Sequence, residues 1–198
     1  MNVEDVEGAL DDLRSPTVER RLNAVAALGA LGDDITLAAL RDAMHDPIAE
    51  VAAAAADALS RRGPQGVEEL KIAVQDTAIN EFGRREAVMT LRDTRDPDTL
   101  LCVLLQEEQG WVVRSEAALA LAALGEMRAI KPLTRLVSHA REEIRTASVE
   151  ALARLGGSAA RAALKDASMN DPNRGVRKAA RVALRGMTET DQPNSEVS

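Results

Sequence analysis

Aromatic side chains are almost missing from this chain, which has no tyrosine, one tryptophan (Trp111) and one phenylalanine (Phe82) in 198 residues. Alanine and leucine must therefore build the core, which suits closely packed helices. Cys102 is the only cysteine, so no internal disulfide can form. Its place in the apolar run LLCVLL predicts a buried, unreactive thiol. Charged residues interrupt every apolar run before it reaches the roughly 18 residues of a membrane span, so no membrane partner is expected. The opening MNVEDVEGALDD is acidic and lacks the cationic start of a secretory signal, which makes a cytoplasmic chain the expectation.

Histidine is scarce as well, with only His45 and His139. No His-Glu-x-x-His or other close histidine pair is available to hold a metal, so both are expected to cap helix ends in loops. No serine lies in a Gly-x-Ser-x-Gly turn, and Cys102 has no histidine nearby in sequence. Gly156-Gly157 is a helix stop and not a phosphate loop. Carboxylate pairs such as Asp33-Asp34, Glu68-Glu69, Glu107-Glu108 and Glu142-Glu143 fall at helix starts and loops, where negative charge suits the helix dipole. These absences leave no catalytic residue, no cofactor and no metal ligand to nominate.

What the chain does have is a period. The leucines Leu28, Leu59, Leu91, Leu121, Leu152 and Leu184 recur at spacings of 31, 32, 30, 31 and 32. So steady a repeat is the signature of a stacked array. Each leucine closes an alanine-rich amphipathic helix, for which Val18 to Ala30, Ile48 to Arg61, Ile79 to Arg92, Trp111 to Leu124, Glu142 to Leu155 and Arg174 to Gly186 are expected. Gly32, Gly63, Gly125 and Gly156 then supply left-handed stops. Second helices are expected over Asp34 to Met44, Pro64 to Val74, Asp96 to Gln106, Met127 to Ser138 and Ser158 to Ser168, with Val3 to Leu13 as a leading half unit. Such hairpins cannot bury their apolar faces alone, so the fold class is an all-α solenoid of about five to six stacked hairpins. Residues 1–187 are expected to form one repeat domain. The polar stretch TETDQPNSEVS, from residue 188 to 198, is expected to be a disordered tail.

Seven residues before the leucine markers stand Arg21, Ala52, Arg84, Arg114, Arg145 and Arg177. An arginine repeated at one place in every layer reads as a structural ladder, its guanidinium bonding loop carbonyls or carboxylates. Candidate acceptors six residues earlier are Asp46, Glu108 and Asp171.

The repeating pattern VRxxAAxALxxLG followed by an apolar second helix resembles HEAT repeats, in particular the short HEAT-like type of phycobilisome lyase subunits, over about residues 3 to 187. The resemblance implies a binding fold and, as an alternative function, a subunit of a bilin lyase or a chaperone for a tetrapyrrole-bearing protein. HEAT-like metal hydroxylases use paired His-Glu motifs, which this chain lacks. A nucleic-acid-binding role like that of HEAT-like alkylation-repair glycosylases would need an aromatic and acidic pocket, and none can be located. The pattern is broken by Ala52 and Arg62 in the second unit and by Thr94-Arg95, in place of leucine-glycine, in the third.

A non-catalytic scaffold or adaptor that binds another protein is therefore the leading expectation. Three surfaces are candidates for the partner. Phe82, Trp111 and Val112 fall in columns that sister repeats fill with charge, and Phe82 and Trp111 come from adjacent layers, which predicts an apolar patch. Gap-filling by these rings is the competing explanation. Along the second helices the exposed residues pass from acidic (Asp42, Glu68, Glu69) to basic (Arg128, Lys131, Arg135, Arg161, Lys165), a gradient that can grip a partner of opposite charge order. The net charge follows the same trend. Residues 1 to 108 hold 22 acidic and 11 basic side chains, a net of −11, against 10 and 14 for the remainder, a net of +4. Arg174, Lys178, Arg181 and Arg185 form a basic stripe on the last helix, but the overall charge of −7 and the missing aromatics disfavour nucleic acid. A charged terminal cap accounts for the stripe more simply. Neither the partner's identity nor the oligomeric state is encoded in these features.

Overall fold

The computed structural model describes residues 3–31 and 34–190, and every regular element among them is helical. Gly32, Asp33 and residues 191–198 of the expected tail lie outside the described residues. None of the described helices is long and apolar enough to cross a membrane. The chain forms two compact units, Met1–Thr99 and Leu100–Ser198, with the division inside one helix, α7 (Pro97–Leu105).

The first unit contains α1 (Val3–Asp12), α2 (Val18–Gly29), α3 (Asp34–Ala43), α4 (Ala49–Ser60), α5 (Gly63–Gln75) and α6 (Glu81–Asp93). The first helices of the repeats, α2, α4 and α6, pack in succession, the second helices α3 and α5 pack behind them, and α1 leans on α2. The marker leucines Leu28, Leu59 and Leu91 are fully buried, each contributing about 2 kcal/mol of apolar transfer energy. Between them the packing relies on small residues. Ala52 stands where other repeats carry arginine and is fully buried. Opposite it, a Cβ added to Gly83 would lie 2.6 Å from the Met44 carbonyl oxygen, 2.8 Å from Ile79 Cγ2 and 3.5 Å from Ala52 Cβ. At the irregular second repeat the start of α6 thus lies directly against the residue that follows α3, Met44.

The second unit contains α8 (Trp111–Ala123), α9 (Ile130–Leu136), α10 (Glu142–Leu155), α11 (Gly157–Asn170) and α12 (Arg174–Thr190). Here α8, α10 and α12 form one layer, and α9 and α11 the other. Leu121 and Leu152 are fully buried, whereas Leu184, on the last described helix, is half-buried. A 3-10 turn over Met127–Ala129 leads into α9. Pro132 sits in the first turn of α9, where its missing N–H costs nothing. The last helix, α12, continues to Thr190, three residues into the stretch expected as tail.

Cys102 departs from expectation, since its side chain is exposed. Leu100, Val103 and Leu104 are the buried positions of α7, and their spacing of three and four turns residue 102 to the opposite face.

Candidate functional site

The loops that precede α2, α4, α6, α10 and α12 share one device. A side chain accepts a hydrogen bond from the backbone amide two residues further on, fixing the turn that launches the helix. Ser15 Oγ accepts from Thr17 N at 3.3 Å, Asp46 Oδ1 from Ile48 N at 2.9 Å, and Asp76 Oδ1 from Ala78 N at 2.9 Å. In the second unit His139 Nδ1 accepts from Arg141 N at 3.0 Å and Asp171 Oδ1 from Asn173 N at 2.8 Å. The amide of Ala78 first, and then His45, holds the Asp76 carboxyl below its ordinary range against the opposing effect of burial.

The arginine column folds back onto these loops. Arg21 Nη1 donates to Ser15 O at 2.8 Å, and Arg84 Nη1 to Thr77 O at 3.2 Å and to Ile79 O. Arg114 Nε donates to Leu104 O at 3.2 Å. Arg145 Nη1 donates to His139 O and Ala140 O at 3.1 and 3.0 Å, and Arg177 Nη1 to Asp171 O and Pro172 O at 2.6 and 3.0 Å. Two of the five also reach forward to a carboxylate. Arg21 grips Asp46 through Nε and Nη2 at 2.6 and 3.1 Å, and Arg145 grips Asp171 at 2.8 and 3.2 Å. The direction differs from the sequence expectation: Asp46 and Asp171 accept from the arginine of the preceding repeat, and the rung's own arginine takes a loop carbonyl, while Glu108 forms no ion pair among the described residues. Burial works against the charged Asp171, but the Arg145 fork and the Asn173 amide hold its carboxyl below the ordinary value.

Both histidines sit at loop ends. His45 Nδ1 lies 3.1 Å from Asp42 O, at the last turn of α3, and its Nε2 lies 3.0 Å from Asp76 Oδ2. His139 occupies the place that Asp171 holds one repeat later. Burial, and then the nearby Arg114 and Arg145 guanidiniums, depress its pKa, while Glu107 works the other way. Among the described residues no group of three or more His, Cys, Asp or Glu side chains could hold a metal ion.

The residues nominated for a partner divide between the units. Phe82 is in the first, with 58% of its surface exposed, and Trp111 and Val112 are in the second, both half-buried. Arg141 Cζ lies 5.9 Å from the Trp111 ring centroid, a cation–π distance. On the second helices of the first unit the acidic groups are partly neutralised. Arg41 Nη1 pairs with Glu69 at 2.8 Å, and Lys71 Nζ bridges Glu68 and Asp96, both at 2.9 Å. The bonds to Glu68 and Asp96 push the Lys71 ammonium up to about 12. In the second unit Arg128 pairs with Glu126 at 2.8 Å, and Arg161 Nη2 donates to Met187 O at 3.2 Å. The Arg128 side chain, followed by its amide, holds the Glu126 carboxyl down at about 2. Lys131, Arg135 and Lys165 remain exposed, and among the described residues they form no ion pair.

A concavity of about 730 Å³ lies in the first unit between α1 and α3. It is lined by Leu10, Ile35 and Ala39 and by the acids Glu7, Asp11 and Asp42, with Arg14 as the one cation among its described residues. Sequence reading missed it, although Ile35 on a helix otherwise apolar on its inner face was the available signal.

Family models agree with this architecture. The one for HEAT repeats matches residues 99–185, and the one for the PBS lyase HEAT-like repeat matches residues 20–46. No curated protein matches the chain. Among solved structures, the complex of CpcE and CpcF of phycocyanin lyase from Nostoc sp. PCC7120 is similar with a TM-score of 0.64 at 22% identity, covering 76% of this chain and 99% of that one. A designed armadillo repeat protein in complex with the peptide (KR)4 matches with a TM-score of 0.52 at 20% identity, over 92% of this chain and 99% of that one. A structure described as the basis of microtubule plus end tracking by XMAP215, CLIP-170 and EB1 matches with a TM-score of 0.56 at 16% identity, over 97% and 93%. At these identities the likeness is one of fold.

Proposed function

We propose, from the premise that this chain is a HEAT-like repeat protein, that it is a scaffold that binds another protein and performs no catalysis of its own. One observation carries the reading. The arginines of the repeat column bond to loop carbonyls or buried carboxylates, while Lys131, Arg135 and Lys165 on α9 and α11 stay exposed without an ion pair among the described residues. Exposed cations on adjacent helices suit an acidic segment of a partner, and Trp111 beside Arg141 offers an amphipathic anchor in the same unit. Repeat proteins of similar fold in complex with a peptide, or with one another, support this mode of action. The chain is proposed to work in the cytoplasm.

Affinity capture from the source lysate tests the reading. Reversing the three cations (Lys131→Glu, Arg135→Glu, Lys165→Glu) is expected to lower retention of a reproducible partner at least about tenfold. Trp111→Ala is expected to lower it too. A partner retained equally by both variants removes this surface from consideration.

A second reading has its own support in the PBS lyase HEAT-like match and the fold likeness to the phycocyanin lyase complex. On that reading the chain assists attachment of a bilin to an acceptor protein. Mixing the purified chain with a free bilin and following visible absorbance checks it, and an unchanged spectrum counts against it.

A further inference from the structure

The first and last helices of the chain are opposites. The first, α1, carries Glu4, Asp5, Glu7, Asp11 and Asp12 and no basic residue. The last, α12, carries Arg174, Arg177, Lys178, Arg181 and Arg185 against a single acid, Glu189. Each also has an uncovered apolar element. The groove between α1 and α3 is lined by Leu10, Ile35 and Ala39, with Ile35 65% exposed. On α12, Val176, Ala180 and Met187 face the core, which leaves Arg174, Lys178, Arg181 and Arg185 along the outer face with Val182 beside them, 60% exposed. Glu7 and Asp11 are exposed and form no ion pair among the described residues, and neither do Arg174 and Lys178.

We propose that the α1–α3 groove is the docking site for the outer face of α12 of a second copy of this chain. Val182 packs on the apolar lining, and the basic stripe meets Glu7, Asp11 and Asp42. Two features select this occupant. The charge patterns are complementary helix for helix, and each face joins a strip of carboxylates or cations to an exposed aliphatic side chain, the composition that gives an interface both attraction and register. Groove and stripe are different surfaces, so the contact is heterologous. The inference stands apart from the scaffold reading, because α9 and α11 remain free to bind a partner whether or not the copies associate.

Sedimentation velocity of the full chain, from about 5 µM to about 300 µM in about 50 mM salt, reads the association directly. The expected result is a weight-average sedimentation coefficient that rises with concentration and falls back when salt is raised to about 500 mM. A groove variant (Glu7→Lys with Asp11→Lys) and a stripe variant (Arg174→Glu with Lys178→Glu) are each expected to raise the dissociation constant at least about tenfold. None of the four side chains makes an ion pair among the described residues, and circular dichroism checks that both variants are folded. Mixing the two variants is expected to restore association, since the reversed groove then fits the reversed stripe. A monomeric wild-type chain across the whole range overturns the proposal. Association that survives in both single-surface variants, or a mixture no more associated than its components, overturns it as well. So does a stripe that shifts nucleic acid while the chain stays monomeric.

Discussion

Two rungs of the same column, one repeat apart in the second unit, treat identical arginines differently. Arg145 and Arg114 are about equally buried, at 7% and 6% exposed. Arg145 fills its fork with both oxygens of Asp171 and adds two loop carbonyls. Arg114 donates from Nε to the Leu104 carbonyl, and the place of the carboxylate belongs to His139. Both acceptors close their loop through the amide two residues on, so an imidazole substitutes for a carboxylate in that task. An imidazole cannot replace it in the other. It has no second acceptor for a guanidinium once Nδ1 is engaged, and a proton would set a cation beside Arg114 and Arg145. Packing and the Trp111–Arg141 contact hold α8 to α10, whereas a buried ion pair spans α10 and the start of α12. At these two rungs the repeated arginine alone is therefore insufficient to latch neighbouring layers, and the carboxylate of Asp171 makes the difference.

Removing the carboxylate from the complete rung is the largest perturbation. Asp171→Ala leaves Arg145 buried without its partner and deprives Asn173 N of its acceptor, which is expected to cost about 3–5 kcal/mol. Urea unfolding followed by circular dichroism measures this as a lower midpoint. A loss below about 1 kcal/mol would mean that the fork is no better than an exposed surface pair.

Adding a carboxylate to the incomplete rung is the converse, with a smaller effect of opposite sign. His139→Asp supplies an acceptor for Arg114 while keeping the loop cap, and a gain of about 1 kcal/mol is expected. The pH dependence separates the two rungs further. The folded-state pKa of His139 is held below its ordinary 6.5 by burial and by the two arginines, so the unfolded chain binds a proton that the folded chain refuses. His139 therefore withdraws stability as pH falls below about 6.5, until the folded pKa is passed. Asp171 has a folded pKa depressed below 3.8, so its contribution is whole above that value and is lost as pH falls through the folded pKa. Unfolding midpoints measured between pH 7 and pH 5 are expected to decline less in His139→Asp than in the wild type. Equal declines in the two proteins would place the titrating group elsewhere.

The leucine period makes most helix boundaries legible to within one or two residues because a marker buried in successive layers leaves little freedom of register. The exceptions are the start of α9, which is a 3-10 turn, and the end of α12, four residues beyond Gly186. The glycine stops were legible for the same reason: Gly125 and Gly156 adopt φ of +69° and +72°. What escaped is local chemistry that composition does not register. Arg95 stands where the fourth repeat has Gly125 and takes the same left-handed conformation, φ +58°, because Asp96 N must still return to Leu91 O as Glu126 N does to Leu121 O. Cys102 was misplaced because an unbroken apolar run hides which face is inward, and only the i, i+3, i+4 contacts of α7 reveal it. For the arginine column the loop carbonyls could be anticipated from recurrence alone. The forward reach to the following repeat depends on how layers are offset, a quantity the one-dimensional period does not contain.

The smallest expected effect isolates what holds the incomplete rung. With no carboxylate at position 139, the Arg141 guanidinium over the Trp111 ring is the charged contact that joins the two loops, and Arg141→Ala should cost about 0.5 kcal/mol. Measured alone, so small a loss is ambiguous. Repeating it in the His139→Asp background makes it informative, because two contacts that restrain the same pair of loops compensate for each other. The double-mutant cycle is expected to show a smaller Arg141→Ala penalty once the carboxylate latch is present. Strict additivity would mean that the ring contact acts on α10 alone and that the layers at this rung are held by the apolar core between them.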